Sequence, residues 1–386
     1  MTPAYVNPPP VTHSRPVSDV TELLAGGDLQ TCRPLILASL KNEESLKTYF
    51  QSLLAYGSLH PVERSREENI QTHPVVILNS LKNLVSLRLE NPSEPLVTLA
   101  TEVSLSVTPD PPGETWRNVP AEKLNEPFFV MDLLLALEAG DRKTAFQEAA
   151  RMFHLSDNEY YLVDILTEAA VREFPRLGLF GYAFHRAAAF CKGMDITPFS
   201  YRLLETVSRD TIGPLFPGVP PGFRVDFFAE PVLKSGDPED VILLAVADRL
   251  WNVQSMKRDA YRKAVAGWFG EKWTDPVAGE KQERAPEGKD VDWTSLLKTG
   301  DARAVAAGLS RARETEDYHW PVDVAEYWLR HTVTENPRHF VLLDAVQHLA
   351  KVLPAEHMIP LAGYLLGPSR TSHPTERQGK SRREEK

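Results

Sequence analysis

The dipeptide Gly-Asp occurs four times in one setting, at Gly27-Asp28, Gly140-Asp141, Gly236-Asp237 and Gly300-Asp301. A leucine stands three residues before each glycine, at Leu24, Leu137, Leu233 and Leu297. Four residues after the aspartates come Cys32, Ala145, Val241 and Val305; eight residues after them come Ile36, Ala149, Ala245 and Leu309. Steps of four mark one face of a helix. Glycine ends a helix by entering the left-handed conformation, and aspartate then accepts hydrogen bonds from the first free N–H groups of the next. Pro238, directly after Asp237, suits the first helical position, where a missing N–H costs nothing. Each copy is predicted to be a helix–Gly-Asp–helix corner. "ELLAGGDLQT" is then punctuation, not a phosphate loop.

The order continues past the corners. "THPVVILNSLKNLV" and "EPLVTLATEV" follow the first, "LGLFGYAFHRAAAFC" and "TPFSYRLLETV" the second, "PRHFVLLDAVQHLAKVL" and "EHMIPLAGYLL" the last. This predicts an all-α chain of divergent helical repeats, about three blocks of four helices, packed as an α-solenoid-like array with a concave face. The spread of about 75–85 residues exceeds the common helical-repeat periods. One stretch, "LVTLATEVSLSVTP", carries a strand pattern, although its first half also reads as helix. Proline clusters and polar runs at 108–127, 213–223 and 274–290 read as breaks. The expected organisation is a disordered Pro-rich arm (1–18), block one (19–107), block two (126–212), a partial block (224–273), block three (291–367) and a disordered tail (368–386).

A formal net charge of −10 disfavours nucleic acid and anionic lipid as partners. The tail "RTSHPTERQGKSRREEK" is basic, yet it mixes both signs and reads as solvated. Two distant cysteines, Cys32 and Cys191, supply neither a disulfide framework nor a metal site and suit a reducing cytoplasm. No run approaches the ~20 apolar residues of a membrane span, and the first residues lack the apolar core of a signal peptide. The expectation is a cytoplasmic protein whose partner is a protein or a small apolar ligand, with no nucleic acid and no membrane.

Histidines are the remaining candidates for chemistry. His73, His185 and His348 fall 45, 44 and 47 residues after their corner aspartates; His339, at 38, competes with His348. With His60 of "SLHPVE" they form a candidate set that a repeat architecture is able to bring to one pocket. No carboxylate recurs at a matching position, so the simpler expectation is a partly buried histidine held by a backbone carbonyl. A metal site has weak support. Glu316 and His319 of "EDYH" form a single Glu-x-x-His with no second copy, whereas di-iron bundles need two. His331, Glu335 and His339 are spaced by four, but Asn336-Pro337 breaks the helix that would align them. No nucleophile elbow, dinucleotide fingerprint or complete phosphate-binding loop stands in the chain, so no cofactor-binding residue is assigned. The aromatic stretch "PLFPGVPPGFRVDFFAEP" reads as a connector packing its phenylalanines onto the array, and "DAYRKAVAGWFGEKW" as a helix with a solvated basic face.

The corners, together with "HPVVILNSLKNL", resemble the all-α regions of some bacterial Rieske-associated proteins and, more distantly, questin-oxidase-like proteins, helical oxidoreductases without an evident cofactor motif. The resemblance covers residues 19–105, 128–206 and 292–367. It implies an oxidation in an apolar pocket and assigns no catalytic residue. A Rieske cluster needs Cys-x-His and Cys-x-x-His pairs, and neither cysteine has such neighbours. Two readings stay open. One is a non-catalytic helical-repeat interaction module binding a protein or small apolar ligand; the other is a questin-oxidase-like oxidoreductase with a histidine-lined hydrophobic pocket.

Overall fold

A computed structural model describes residues 16–62, 68–113, 116, 119, 124, 126–221, 223–273, 292–331 and 336–366. Most of the expected arm, the polar break at 274–290 and the tail lie outside the described residues. The first block holds α1 (Pro16–Gly26), α2 (Leu29–Ser39), α3 (Glu43–Gly57), the single turn α4 (Glu68–Gln71), α5 (Pro74–Val85) and α6 (Glu94–Leu105). The second holds α7 (Val130–Glu138), α8 (Arg142–Leu155), α9 (Tyr160–Arg172), α10 (Phe174–Phe190) and α11 (Thr197–Val207). Next come α12 (Ala229–Ser235), α13 (Pro238–Trp251) and α14 (Arg258–Lys272). The last block holds α15 (Trp293–Thr299), α16 (Ala302–Glu314), α17 (Trp320–His331), α18 (Arg338–Val352) and α19 (Met358–Leu366). A full block thus has one helix before its corner and at least four after it. The first helix starts at Pro16, inside the stretch read as a disordered arm.

No strand forms among the described residues. The strand-like stretch is mostly α6, where the Thr101 and Ser104 hydroxyls donate to Val97 and Ala100 carbonyls one turn back. That satisfies the polar side chains inside the helix, while packing against α2 and α5 buries Leu96, Val97 and Ala100.

All four corner aspartates cap the following helix. Asp28 accepts from the Thr31 N–H at 2.9 Å, Asp141 from Thr144 at 3.1 Å, and Asp237 and Asp301 from Glu239 and Arg303 at 2.9 Å. The leucines and the stripe residues four and eight past the aspartates are all buried. Gly140, Gly236 and Gly300 are left-handed, with φ of 69°, 73° and 64°. Gly27 differs: its φ is not positive, and glycine is needed because a Cβ would sit 2.3 Å from the Leu23 carbonyl oxygen. The first corner thus uses close backbone approach where the other three use handedness.

One helix from each segment goes to the centre. α5 packs on α10 and α18, and α13 packs on the same two, so the four close into a ring. Each is buried on nearly every side; in α5 residues 74–81, 84 and 85 are buried, in α18 residues 340–347, 349 and 350. Such helices need neighbours on both flanks. An open solenoid, in which each repeat touches only its sequence neighbours, would expose one flank of α5 and one of α18. The array that the sequence led us to expect as solenoid-like has its first and last blocks in contact. The first and last blocks meet through α5–α18 and α6–α17, reinforced by Arg88–Asp323 at 3.0 Å and Ser93–Glu326 at 2.8 Å.

α13 and α18 run in the same direction. Glu239 pairs with Arg338 near their starts and Asp248 with His348 near their ends. The connectors are anchored by aromatic side chains. Trp116 packs on Phe146, Phe153 and Tyr201, and Phe223 on Phe228 and Trp251. Phe216 covers Gly267, where a Cβ would lie 2.2 Å from its ring.

Candidate functional site

The five candidate histidines do not gather around one pocket. Only His60 and His73 meet, with ring centroids 5.6 Å apart. His73 is the N-cap of α5: its Nδ1 accepts from the Val75 N–H at 3.2 Å, and its Nε2 donates to the His60 carbonyl at 2.9 Å. Its ring is wedged against Phe180 and Phe184, both at 5.3 Å. Burial lowers its basicity to about 3, so it stays neutral. His60 in turn accepts from the Thr108 N–H at 3.3 Å. This pair splices α5 to the loops around it. The sequence signal for it was His73-Pro74, a cap followed by proline at the first helical position.

His185 bonds Asp164 of α9 at 2.9 Å, and Tyr261 of α14 donates to the Asp164 carbonyl at 2.9 Å. His348 bonds Asp248 of α13 at 2.8 Å. The expectation of backbone partners thus holds for His73 and fails for these two. Their carboxylates come from other helices at unrelated offsets, which no repeat comparison reveals. Glu316 and His319 lie in the turn between α16 and α17, where they share no helix face. No group of three or more His, Cys, Asp or Glu suited to a metal ion forms among the described residues.

The ring centre is polar, and the sequence reading missed it. Arg249 of α13 donates to both carboxylate oxygens of Asp344 of α18, at 2.9 and 2.8 Å, and to its backbone carbonyl at 3.2 Å. Asn83, in the last turn of α5, donates to both Asp344 carboxylate oxygens at 3.3 and 3.2 Å, and accepts from Lys82 at 2.8 Å. Tyr182 of α10 lies under the Arg249 guanidinium at 5.8 Å. Burial brings Lys82 down to about 8 and pushes the Tyr182 hydroxyl up. The space here is about 10 Å³, room for one water at most. It is a lock between four helices, too small for a ligand.

Room for a ligand exists at the starts of α13 and α18. A cavity of about 730 Å³ opens between α12, α13, α18 and α19. Leu233, Pro238, Ile242, Leu342, Pro360 and the Tyr364 ring make it mostly apolar. The Gly236-Asp237 corner forms part of its wall, so one of the four punctuation marks also borders the site. Its polar groups are Asp237, Glu239, Asn336, Arg338 and His339. Of the five candidate histidines, only His339 lines this space, with its ring edge-on to Trp328 at 6.4 Å. Burial lowers its basicity below the ordinary histidine value. Sequence spacing singled out His339 for another reason; nothing local announced Glu239, Arg338 and Tyr364 as its neighbours.

Both cysteines are buried and unpaired, and burial pushes the Cys191 thiol up to about 12. No described helix is long and apolar enough to cross a membrane. Comparison with known proteins found no matching family model, no matching curated protein and no matching solved structure.

Proposed function

We propose that this is a non-catalytic helical binding protein that holds a small, largely apolar ligand in the cavity between α12, α13, α18 and α19. The observation that carries the reading is the cavity itself. Its volume of about 730 Å³ falls in the range that small-molecule sites use, and a few polar groups stand on an otherwise apolar wall. The recurring helix–corner–helix units support reading the scaffold as divergent repeats closed into a ring. Unpaired, buried thiols are compatible with a reducing cytoplasm. A questin-oxidase-like activity would draw on several histidines around one void; with only His339 at the cavity, binding is the better-supported function.

Gly363 lines the cavity on α19, and a Cβ added there meets nothing within 4 Å. Gly363→Trp therefore fills the space without disturbing the core. Affinity for a fluorescent apolar dye is expected to weaken by about tenfold or more, with an unchanged melting temperature. Equal dye affinity in the variant and the parent protein would sink the proposal.

A further inference from the structure

The polar wall of the cavity carries an excess of negative charge. Asp237 and Glu239 stand at the start of α13, and Arg338 at the start of α18. Arg338 forms an ion pair with Glu239, which leaves the exposed Asp237 carboxylate in excess. That charge is felt at Tyr364, whose hydroxyl is pushed up to about 12 by burial and then by Asp237. The partial charges at the two helix starts fall off within a turn. They are already met by Asp237, which accepts from the Glu239 N–H at 2.9 Å, and by Asn336, which accepts from the Arg338 N–H at 3.0 Å. Hydrogen-bonding capacity is also left over. Glu239 Oε1, an Arg338 guanidinium nitrogen and His339 Nδ1 are buried without a hydrogen-bond partner among the described residues. The Tyr364 hydroxyl, in contrast, donates to the Leu233 carbonyl at 3.3 Å.

We infer that the cavity selects a cationic amphiphile, an apolar body ending in an ammonium group with a hydroxyl on the neighbouring carbon. A carboxylate oxygen takes a donor, a guanidinium nitrogen takes an acceptor, and a neutral imidazole nitrogen takes either. The ammonium donates to Glu239 Oε1 and to the His339 ring nitrogen, and its charge answers Asp237. The hydroxyl oxygen accepts from Arg338 and stands between the two cations. Each buried group that would otherwise stay unmatched then has a partner. Leu233, Ile242, Leu342 and Pro360 face the apolar body. Burial of the His339 ring, which lowers its basicity, keeps it neutral and able to accept. A lone hydroxyl would leave Asp237 unanswered, and a carboxylate would add a third negative charge to the wall.

The selection rests on the cavity being the binding site, and the test separates the two ideas. Dodecanol, dodecanoate, dodecylammonium and the dodecyl amino alcohol with ammonium and hydroxyl on adjacent carbons differ only in head group. Their affinities are measured near neutral pH by dye displacement on the full chain, below the concentrations at which they form micelles. Both amines are expected to bind about tenfold or more tighter than dodecanol and dodecanoate, with the amino alcohol about threefold or more ahead of dodecylammonium. Equal affinities for the two amines overturn the amino-alcohol assignment. Asp237→Asn keeps a side-chain acceptor for the cap and removes the excess charge. Both amines are expected to weaken about two- to fivefold in that variant, while dodecanol is unaffected. If circular dichroism shows the variant misfolded, the salt dependence of the parent protein decides instead: amine affinity falls as ionic strength rises, and dodecanol affinity does not. The chain has a net charge of −10, so an amine held elsewhere on its surface would bind Gly363→Trp as well as the parent, and that outcome overturns the assignment. Dodecanol or dodecanoate matching the amines overturns the head-group selection and leaves the cavity reading standing. Failure of all four probes to bind overturns the cavity reading itself.

Discussion

His73 makes the acid stability of this protein calculable. The folded chain holds its ring neutral down to about pH 3, because the ring is buried between Phe180 and Phe184. In the unfolded chain it takes up a proton near its ordinary value of 6.5. Between those limits the unfolded state binds one more proton, so stability is lost as the pH falls. Each unit inside the window costs about 1.4 kcal/mol. Going from about pH 7 to about pH 4.5 crosses about two such units, a loss of about 3 kcal/mol from this residue. His73→Asn keeps a side-chain acceptor for the cap and cannot titrate. Urea unfolding of both proteins across that range isolates the contribution, since His339 and His357, whose basicity burial also lowers, are common to both. The parent protein should be the more stable near neutrality, where its bond to the His60 carbonyl counts, and become less stable relative to the variant by about 3 kcal/mol at the acid end. A constant difference across the series would refute the neutral, buried cap.

Other perturbations probe the rest of the scaffold. Asp344→Ala should cost about 3–5 kcal/mol, because it strands Arg249 in the ring centre, whereas Arg249→Met combined with Asp344→Leu should recover much of that. Urea unfolding of the two single variants and the double reads the coupling, and strict additivity would argue against a central lock. Adjacent glycines at the first corner should behave oppositely in thermal melts. Gly26→Ala, with nothing within 4 Å of its new Cβ, should be neutral or mildly stabilising, and Gly27→Ala destabilising by more than about 1 kcal/mol. Equal shifts would contradict the close approach to Leu23. Neither Cys32 nor Cys191 should be alkylated by iodoacetamide in the folded protein near pH 8, and both should react in denaturant; rapid labelling of the native chain would overturn their burial.

Much of the local structure was legible from residue spacing. The corner aspartates, the leucines before them and the apolar steps of four after them are short-range features, settled within about two turns of chain. They took up the predicted places, apart from the backbone angle of Gly27. The strand-like run at α6 shows the limit of local pattern. Val97, Thr101 and Val103 suit a strand as well as a helix, and burial between α2 and α5 decided between them. The candidate site was less legible. Counting from the corners led to His73, His185, His339 and His348, yet helices of different length and tilt sent these to a cap, two carboxylate partners and a cavity wall. Only His60 and His73 were brought together, and they brace a loop.

By itself, then, the sequence determined where helices meet at the four corners, which residues after each corner are buried, and the predominance of helix. Those properties depend on backbone capping and on side chains a few residues apart. Closure of the ring, the pairing of Arg249 with Asp344 and the cavity around His339 were decided only in three dimensions. Each joins residues about 95 to 260 positions apart, and no local period encodes such contacts. They follow from four helices that are buried on nearly every side and reach that burial only by enclosing one another.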